Sequence, residues 1–400
     1  MVALRVRENE MAMQRWQTAA AMLAAGMLWA CGAATTPPAT VAADVAADAA
    51  VDAAADATAT GRADLTWPPD QTGPYHVGYR TFPLTYVPAP DGVTRTIQVS
   101  VWYPTNDATG TPAVYFAALP VPEPDVFQDA SLAPPVDPAG YPVHEFTHGH
   151  LGFAGSAPYM VRHFASHGWV VIAADHTGNT LVDNAGPRPP AIYWWRQTDD
   201  EACLNWLETL PPSDPLYGKA RTEKVFLSGH SFGSTDVWSL VGVPYDMARI
   251  TANCAAGTST IDCSAVALAK YKAGFHDARI VGAAQLAGGV DAAVFAPDAP
   301  TAATLPLLVM TGTADTDHPS APLWDPLPHG WWVEIAGACH QTFGLGDCAP
   351  PMTADVGTPI VWTYTLALAR RAVLGDSGAA VSAILDGAQV VSPLATLHKK

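Results

Sequence analysis

The sequence predicts an α/β fold, a mostly parallel central sheet with helices on both faces. Three observations carry that expectation. From residue 143 onward, short apolar runs of strand length alternate with stretches of helical spacing. The runs are continuously apolar rather than alternating, which is the pattern of strands buried on both sides. The chain is also long and apolar enough to build those covering layers, with 400 residues of which 49% are hydrophobic and 14% charged. Strand–helix alternation of this kind makes neighbouring strands parallel.

The first 64 residues stand apart. Arg5, Arg7 and Arg15 precede an apolar run from Thr18 to Ala30. That run is too short to cross a bilayer and reads as an export signal. Its end, Leu28-Trp29-Ala30-Cys31-Gly32, is similar to a bacterial lipobox. In that reading residues 1–31 are removed as a signal, apart from a lipidated Cys31 that anchors the chain to a membrane; simple secretion is the other reading. Residues 32–64 are rich in Ala, Thr, Pro and Asp and hold no aromatic residue. They bury too little surface to offset their ordering entropy, so a disordered tether is expected. The catalytic domain is expected over 65–390, with a tail at 391–400.

Within the domain, VTRTIQVSVWYP (93–104) alternates and is β-branched, a half-buried strand with an antiparallel partner expected in 76–87. Residues 109–142 are Pro-rich and aperiodic, and read as a long surface excursion. Strands follow at 143–147, 169–175, 224–229, 279–286, 305–311 and 331–337. Helical spacing covers 156–167, 198–210 and 232–242, and 357–374 supplies a closing helix. The pairs Trp194-Trp195 and Trp331-Trp332 read as core packing.

The formal net charge is -17. Nucleic acid needs clustered cations on its partner, so it is excluded as a ligand. Besides Cys31 there are five cysteines. Cys254–Cys263 and Cys339–Cys348 each close a short loop and read as disulfides of an exported protein. Cys203 reads as a buried free thiol. Nothing in the sequence fixes an oligomeric state; a monomer is the default.

The chemistry centres on G-H-S-F-G (229–233), which follows the strand KVFLSG and opens a helical stretch. That arrangement is a nucleophile elbow, with Ser231 on a strained turn and Gly229 and Gly233 where flanking Cβ atoms would clash. A serine hydroxyl needs a base, held in turn by a carboxylate, in the chain order Ser, acid, His. His340 lies in the loop after the last strand and is the expected base; His276, His318, His329 and His398 are worse placed. Asp315, just past LPLLVMT, is the expected acid, with Asp317 and Asp291 as alternatives. Two backbone amides must hold the oxyanion. These are expected from Phe232 and, after the strand VHEFT, from His150 in His148-Gly149-His150. The spacing His144, His148, His150 also suggests a metal site, but only Glu145 is near and no further ligand pattern appears, so no metal is expected.

These residues together resemble the α/β-hydrolases. The chain is similar to serine esterases of the platelet-activating-factor acetylhydrolase and dienelactone-hydrolase-like groups, through VSVWYP, FTHGHLGFAGS, FASHGWVVIAADH, WWRQTDDEACLNWL, GHSFGS and GACHQTF. The G-T-A-D loop resembles polyester hydrolases, whereas the acetylhydrolase arrangement would place the acid at Asp291. The resemblance implies a Ser-His-Asp esterase for short or modified acyl esters, without metal or organic cofactor. Truncated phospholipids or polyesters are the alternative substrates, and an inactive hydrolase scaffold that only binds is the non-enzymatic alternative.

Overall fold

Among the described residues, eleven strands join one sheet, in the order β11-β10-β9-β8-β7-β5-β6-β2-β1-β4-β3. The computed structural model describes residues 67–88, 92–118, 120–184, 187–316, 321–348 and 352–400. The export signal, Cys31, the tether, Asp317 and His318 lie outside the described residues. None of the described helices is long and apolar enough to cross a membrane.

The strands are β1 (His76–Tyr86), β2 (Arg95–Thr105), β3 (Pro112–Val114), β4 (Pro122–Gln128), β5 (Tyr141–Thr147), β6 (Val170–Asp175), β7 (Ala220–His230), β8 (Ile280–Leu286), β9 (Leu307–Gly312), β10 (Trp331–Ile335) and β11 (Ala395–Lys399). From β6 through β10 every neighbouring pair is parallel. β1 and β2 pair antiparallel in full register, His76 opposite Thr105 and Tyr86 opposite Arg95. The burial pattern follows position in the sheet. Every residue of β5 and β9 is buried, whereas β1 alternates between exposed and partly buried along its second half.

Helices cover both faces. On one side α1 (Pro158–Ser166) and α6 (Ala354–Ala369) pack Phe164, Met160, Ile360 and Leu366 against Phe146, Leu308 and Met310. On the other, α2 (Ile192–Glu208), α3 (Gly233–Leu240), α4 (Met247–Ala256) and α5 (Ala265–Ala273) pack with Leu227, Ala283 and Val309. The alternation Leu308, Val309, Met310 sends successive side chains to opposite layers, as the two-residue period of a strand requires. A short helix, α7 (Ala379–Leu385), packs beside α6.

Three expectations are corrected. Residues 109–142 are not merely an excursion over the surface. They contain β3 and β4, and β4 lies parallel to β1 with Val77 opposite Val126. Pro112 is tolerated because β3 is the edge strand, and Pro122 because it is the first residue of β4. The terminal segment supplies β11, antiparallel to β10. Helix α2 begins at Ile192, one and a half turns before the expected start, and Trp194 packs into the core on it.

Both expected disulfides are present, Cys254–Cys263 and Cys339–Cys348, and Cys203 is a buried free thiol.

Candidate active site

Ser231 follows β7 directly and has φ +55°. A non-glycine residue in this region costs on the order of 1–3 kcal/mol, and such strain persists only where the surroundings impose it. The surroundings are close. A Cβ on Gly229 would come 2.3 Å from the Gly233 carbonyl oxygen, and one on Gly233 would come 2.3 Å from that of Thr147. The Ser231 amide donates to Leu286 O at 2.9 Å, tying the turn to the end of β8. Helix α3 starts immediately afterwards, so its N-terminal amides face the serine with the positive end of the helix dipole.

The base arrives from the other side of the sheet's carboxyl edge. After β10 the chain enters a short 3-10 turn, His340–Phe343. His340 Nε2 lies 2.8 Å from Ser231 Oγ and Nδ1 lies 2.9 Å from Asp315 Oδ2. With the carboxylate accepting from Nδ1–H, the Nε2 lone pair faces the hydroxyl. Asp315 stands three residues beyond β9 with its amide bonded to Gly312 O, and its side chain is 3% exposed against 29% for His340. The structure therefore brings together Ser231, His340 and Asp315. Asp291 is elsewhere, accepting from Arg188 at 3.4 Å and from the Ala293 amide. Of the other histidines, His398 stacks on Trp332 with 4.1 Å between ring centroids, and His276 lies beside Gly242 at the opposite edge of the sheet.

The His148–His150 loop runs beside the serine; a Cβ on Gly149 would meet the Ser231 Cβ at 3.0 Å. The His150 ring is turned away from it, with Nδ1 accepting from Asn179 Nδ2 at 2.6 Å. Burial, and then the charges of Arg188 and Arg196, lower its pKa to about 4. Its ring is neutral at pH 7.

One residue of the site was not singled out from sequence. His230 Nε2 donates to the His340 carbonyl at 3.0 Å, and the two rings lie 4.8 Å apart. His230 occupies the second position of G-H-S-F-G, to which the motif itself assigns no role. The three histidines of H-x-x-x-H-x-H do not converge. His144 bonds Ser228 Oγ and packs on Phe164, whereas His148 Nδ1 donates to Gly149 O and its Nε2 accepts from the His176 amide. Instead His176 lies with Asp200 and Asp236 in a buried cluster under the elbow.

By sequence, no family model and no curated protein matches the chain. Among solved structures, the ferulic acid esterase from Streptomyces cinnamoneus superposes with a TM-score of 0.55 at 17% identity, covering 84% of this chain and 99% of that one. The sheet order, the strand–turn–helix around Ser231 and this likeness agree: the chain has the α/β-hydrolase fold.

Proposed function

We propose that the chain is a serine carboxylic-ester hydrolase working through an acyl-enzyme. One observation carries the reading: His340 bridges Ser231 Oγ and Asp315 Oδ2 at hydrogen-bonding distance on both ring nitrogens. His340 takes the Ser231 proton as Oγ attacks the ester carbonyl. The tetrahedral oxyanion is held by the Phe232 and His150 amides, and the protonated imidazole, stabilised by Asp315, returns its proton to the leaving alcohol. A water then repeats the sequence on the acyl-enzyme and releases the acid. No metal or organic cofactor is needed for these steps.

The structural neighbour's description as an esterase supports the same bond type. Short-chain or modified acyl esters are the proposed substrates, with truncated phospholipids and polyesters separable by an acyl-length series on p-nitrophenyl esters and phosphatidylcholines. The two disulfides support an exported protein; anchoring through Cys31 is proposed on the lipobox alone. The test of the mechanism is Ser231→Ala. It is expected to keep the fold and lose p-nitrophenyl butyrate hydrolysis by roughly 10⁴–10⁶-fold. Turnover equal to wild type removes Ser231 from the mechanism and revives a scaffold that only binds.

A further inference from the structure

Beneath the elbow lies a fully enclosed polar cluster that the reaction does not use. It joins Thr147 and Glu145 on β5, His176 just past β6, Arg196, Gln197, Asp199 and Asp200 on α2, and Asp236 on α3. All of these are 0–1% exposed. Two guanidiniums serve it: Arg196 pairs with Asp236 at 2.7 Å and Arg95 with Asp199 at 2.8 Å. Four carboxylates therefore face two cations, since Glu145 and Asp200 have neither an ion pair to Arg or Lys nor a hydrogen bond. Both oxygens of each, with Gln197 Oε1, lack any hydrogen-bond partner. Every orphan of these side chains is an acceptor. What is missing is positive charge or donors, because a buried unpaired carboxylate costs several kcal/mol.

The hydrogen-bond directions show where that charge belongs. Asp199 accepts from Arg95 Nε at 2.9 Å and Nη2 at 2.8 Å, and His176 Nδ1 lies 3.1 Å from its Oδ2. The Thr147 oxygen accepts from Arg196 Nη2 at 2.9 Å and stands 2.7 Å from Asp236 Oδ2 and 3.0 Å from His176 Nε2, so its single proton serves one of these two acceptors. On that same nitrogen Asp200 Oδ1 closes to 3.5 Å. With Nδ1 toward Asp199, Nε2 faces Asp200 Oδ1, an oxygen that has no hydrogen-bond donor among the described residues. Two ligand atoms each about 2.1 Å from a tetrahedral metal stand about 3.4 Å apart, close to the His176–Asp200 separation. The ligand atoms of His176, Asp200 and Asp236 lie within 4.8 Å of one another. The Asp199 carboxylate behind Nδ1 is the support that metal-ligating imidazoles use to fix their tautomer.

We propose that His176, Asp200 and Asp236 bind one divalent transition-metal cation of the zinc class, enclosed under the Ser231 elbow as a structural brace. An imidazole with carboxylates, and no thiolate, suits such an ion better than an all-oxygen cation site. The ion joins the end of β6, α2 and α3, and Asp236 passes its hold through Thr147 to the start of the His148–His150 loop. Since the cluster has no exposed atom of these ligands, the ion enters as the chain folds.

Elemental analysis of the purified chain, after dialysis against metal-free buffer, tests this directly. About one equivalent of a divalent transition metal is expected. Wild type unfolded in guanidinium with EDTA is expected to regain its original melting temperature when refolded with Zn²⁺ and not when refolded in chelator. Asp200→Asn is expected to hold less than roughly a tenth of an equivalent, while Asp291→Asn keeps the wild-type content. Should Asp200→Asn fail to fold, the two wild-type refolding arms decide. Wild type that regains its full melting temperature in chelator, metal-free, overturns the proposal. So does a folded Asp200→Asn that retains the metal.

Discussion

His230 Nε2 donates to the carbonyl oxygen of His340 at 3.0 Å, so the residue before the proposed nucleophile fixes the backbone that carries the proposed base. The two halves of the site come from β7 and from the loop after β10, three positions apart in the sheet, and this bond is a direct tie between them. A neutral hydrogen bond of this kind contributes about 1 kcal/mol. His230→Ala is expected to lower kcat about five- to tenfold with KM little changed, because the loss is of base placement rather than of substrate contacts. A kcat equal to wild type, with the same rate of fluorophosphonate labelling at Ser231, would remove the positioning role.

The choice of acid is a second prediction. Asp315 faces His340 Nδ1, whereas Asp291 is engaged with Arg188 and its own loop. Asp315→Asn leaves the geometry but favours the wrong imidazole tautomer, and is expected to cost roughly 10³–10⁴-fold in kcat. Asp291→Asn is expected to stay within about threefold, since its Arg188 pair is partly exposed and such pairs contribute about 0–1 kcal/mol. Parallel kcat measurements check both. Crippling by Asp291→Asn alone would restore the acetylhydrolase arrangement.

How much of this was legible beforehand follows from what each feature depends on. The central strands were legible because they are buried on both faces and therefore continuously apolar. The elbow was legible because its glycines, the strand before and the helix after are contiguous in sequence. His340 and Asp315 were legible by their distance from strand ends. The β3–β4 ribbon was not, because its prolines at 112 and 122 argue locally against strands, and only the edge position of β3 and the strand-initial position of Pro122 make them acceptable. The cluster of His176, Asp200 and Asp236 was not legible either. Its members lie on three separate elements, and only the packing of α2 and α3 onto β5 and β6 assembles them.

The elbow glycines give a third prediction. At both Gly229 and Gly233 a Cβ meets backbone at 2.3 Å, with no flexible side chain to give way. Gly233→Ala must push α3 away from the Thr147 carbonyl, displacing Ser231 and Phe232 together. Overpacking of this kind costs about 1–3 kcal/mol. The expected result is a lower melting temperature and a kcat loss larger than the stability loss alone accounts for. A variant with wild-type melting temperature and activity would show that the turn is not constrained as described.

A fourth prediction concerns Cys339–Cys348, which flanks the turn bearing His340. The bridge limits the freedom of that loop, so reduction is expected to lower kcat before the far-UV circular dichroism changes. Cys339→Ala/Cys348→Ala is expected to reproduce the loss and to make the enzyme indifferent to reductant. The Cys254–Cys263 bridge joins the end of α4 to the segment before α5, away from the triad, and its removal is expected to affect stability alone. Equal activity with and without reductant, with thiol titration showing the bridge open, would separate the bridge from His340.

The last prediction is a pH dependence of stability. His167 is 3% exposed, and its Nε2 donates to Gln71 O at 2.8 Å while Nδ1 has no partner. Burial, opposed in part by that bond and reinforced by the Arg370 charge, lowers its pKa to about 4. Neighbouring His163, whose Nε2 donates to Pro69 O, is lowered further by burial and by His167. A histidine depressed in the folded state takes up its proton more readily when unfolded. The folded state therefore keeps its full stability above pH 6.5 and loses it as pH falls from 6.5 toward 4. For His167 the shift of about 2.5 units corresponds to about 3 kcal/mol at most. These two histidines pin residues 69–71 to α1, so that segment is expected to exchange its amide protons first on acidification. His167→Gln can still donate to Gln71 O but does not titrate, and is expected to flatten the fall in unfolding free energy between pH 6.5 and 4. Denaturant unfolding at stepped pH measures the slope, and an unchanged slope in the variant would assign the acid lability to other groups.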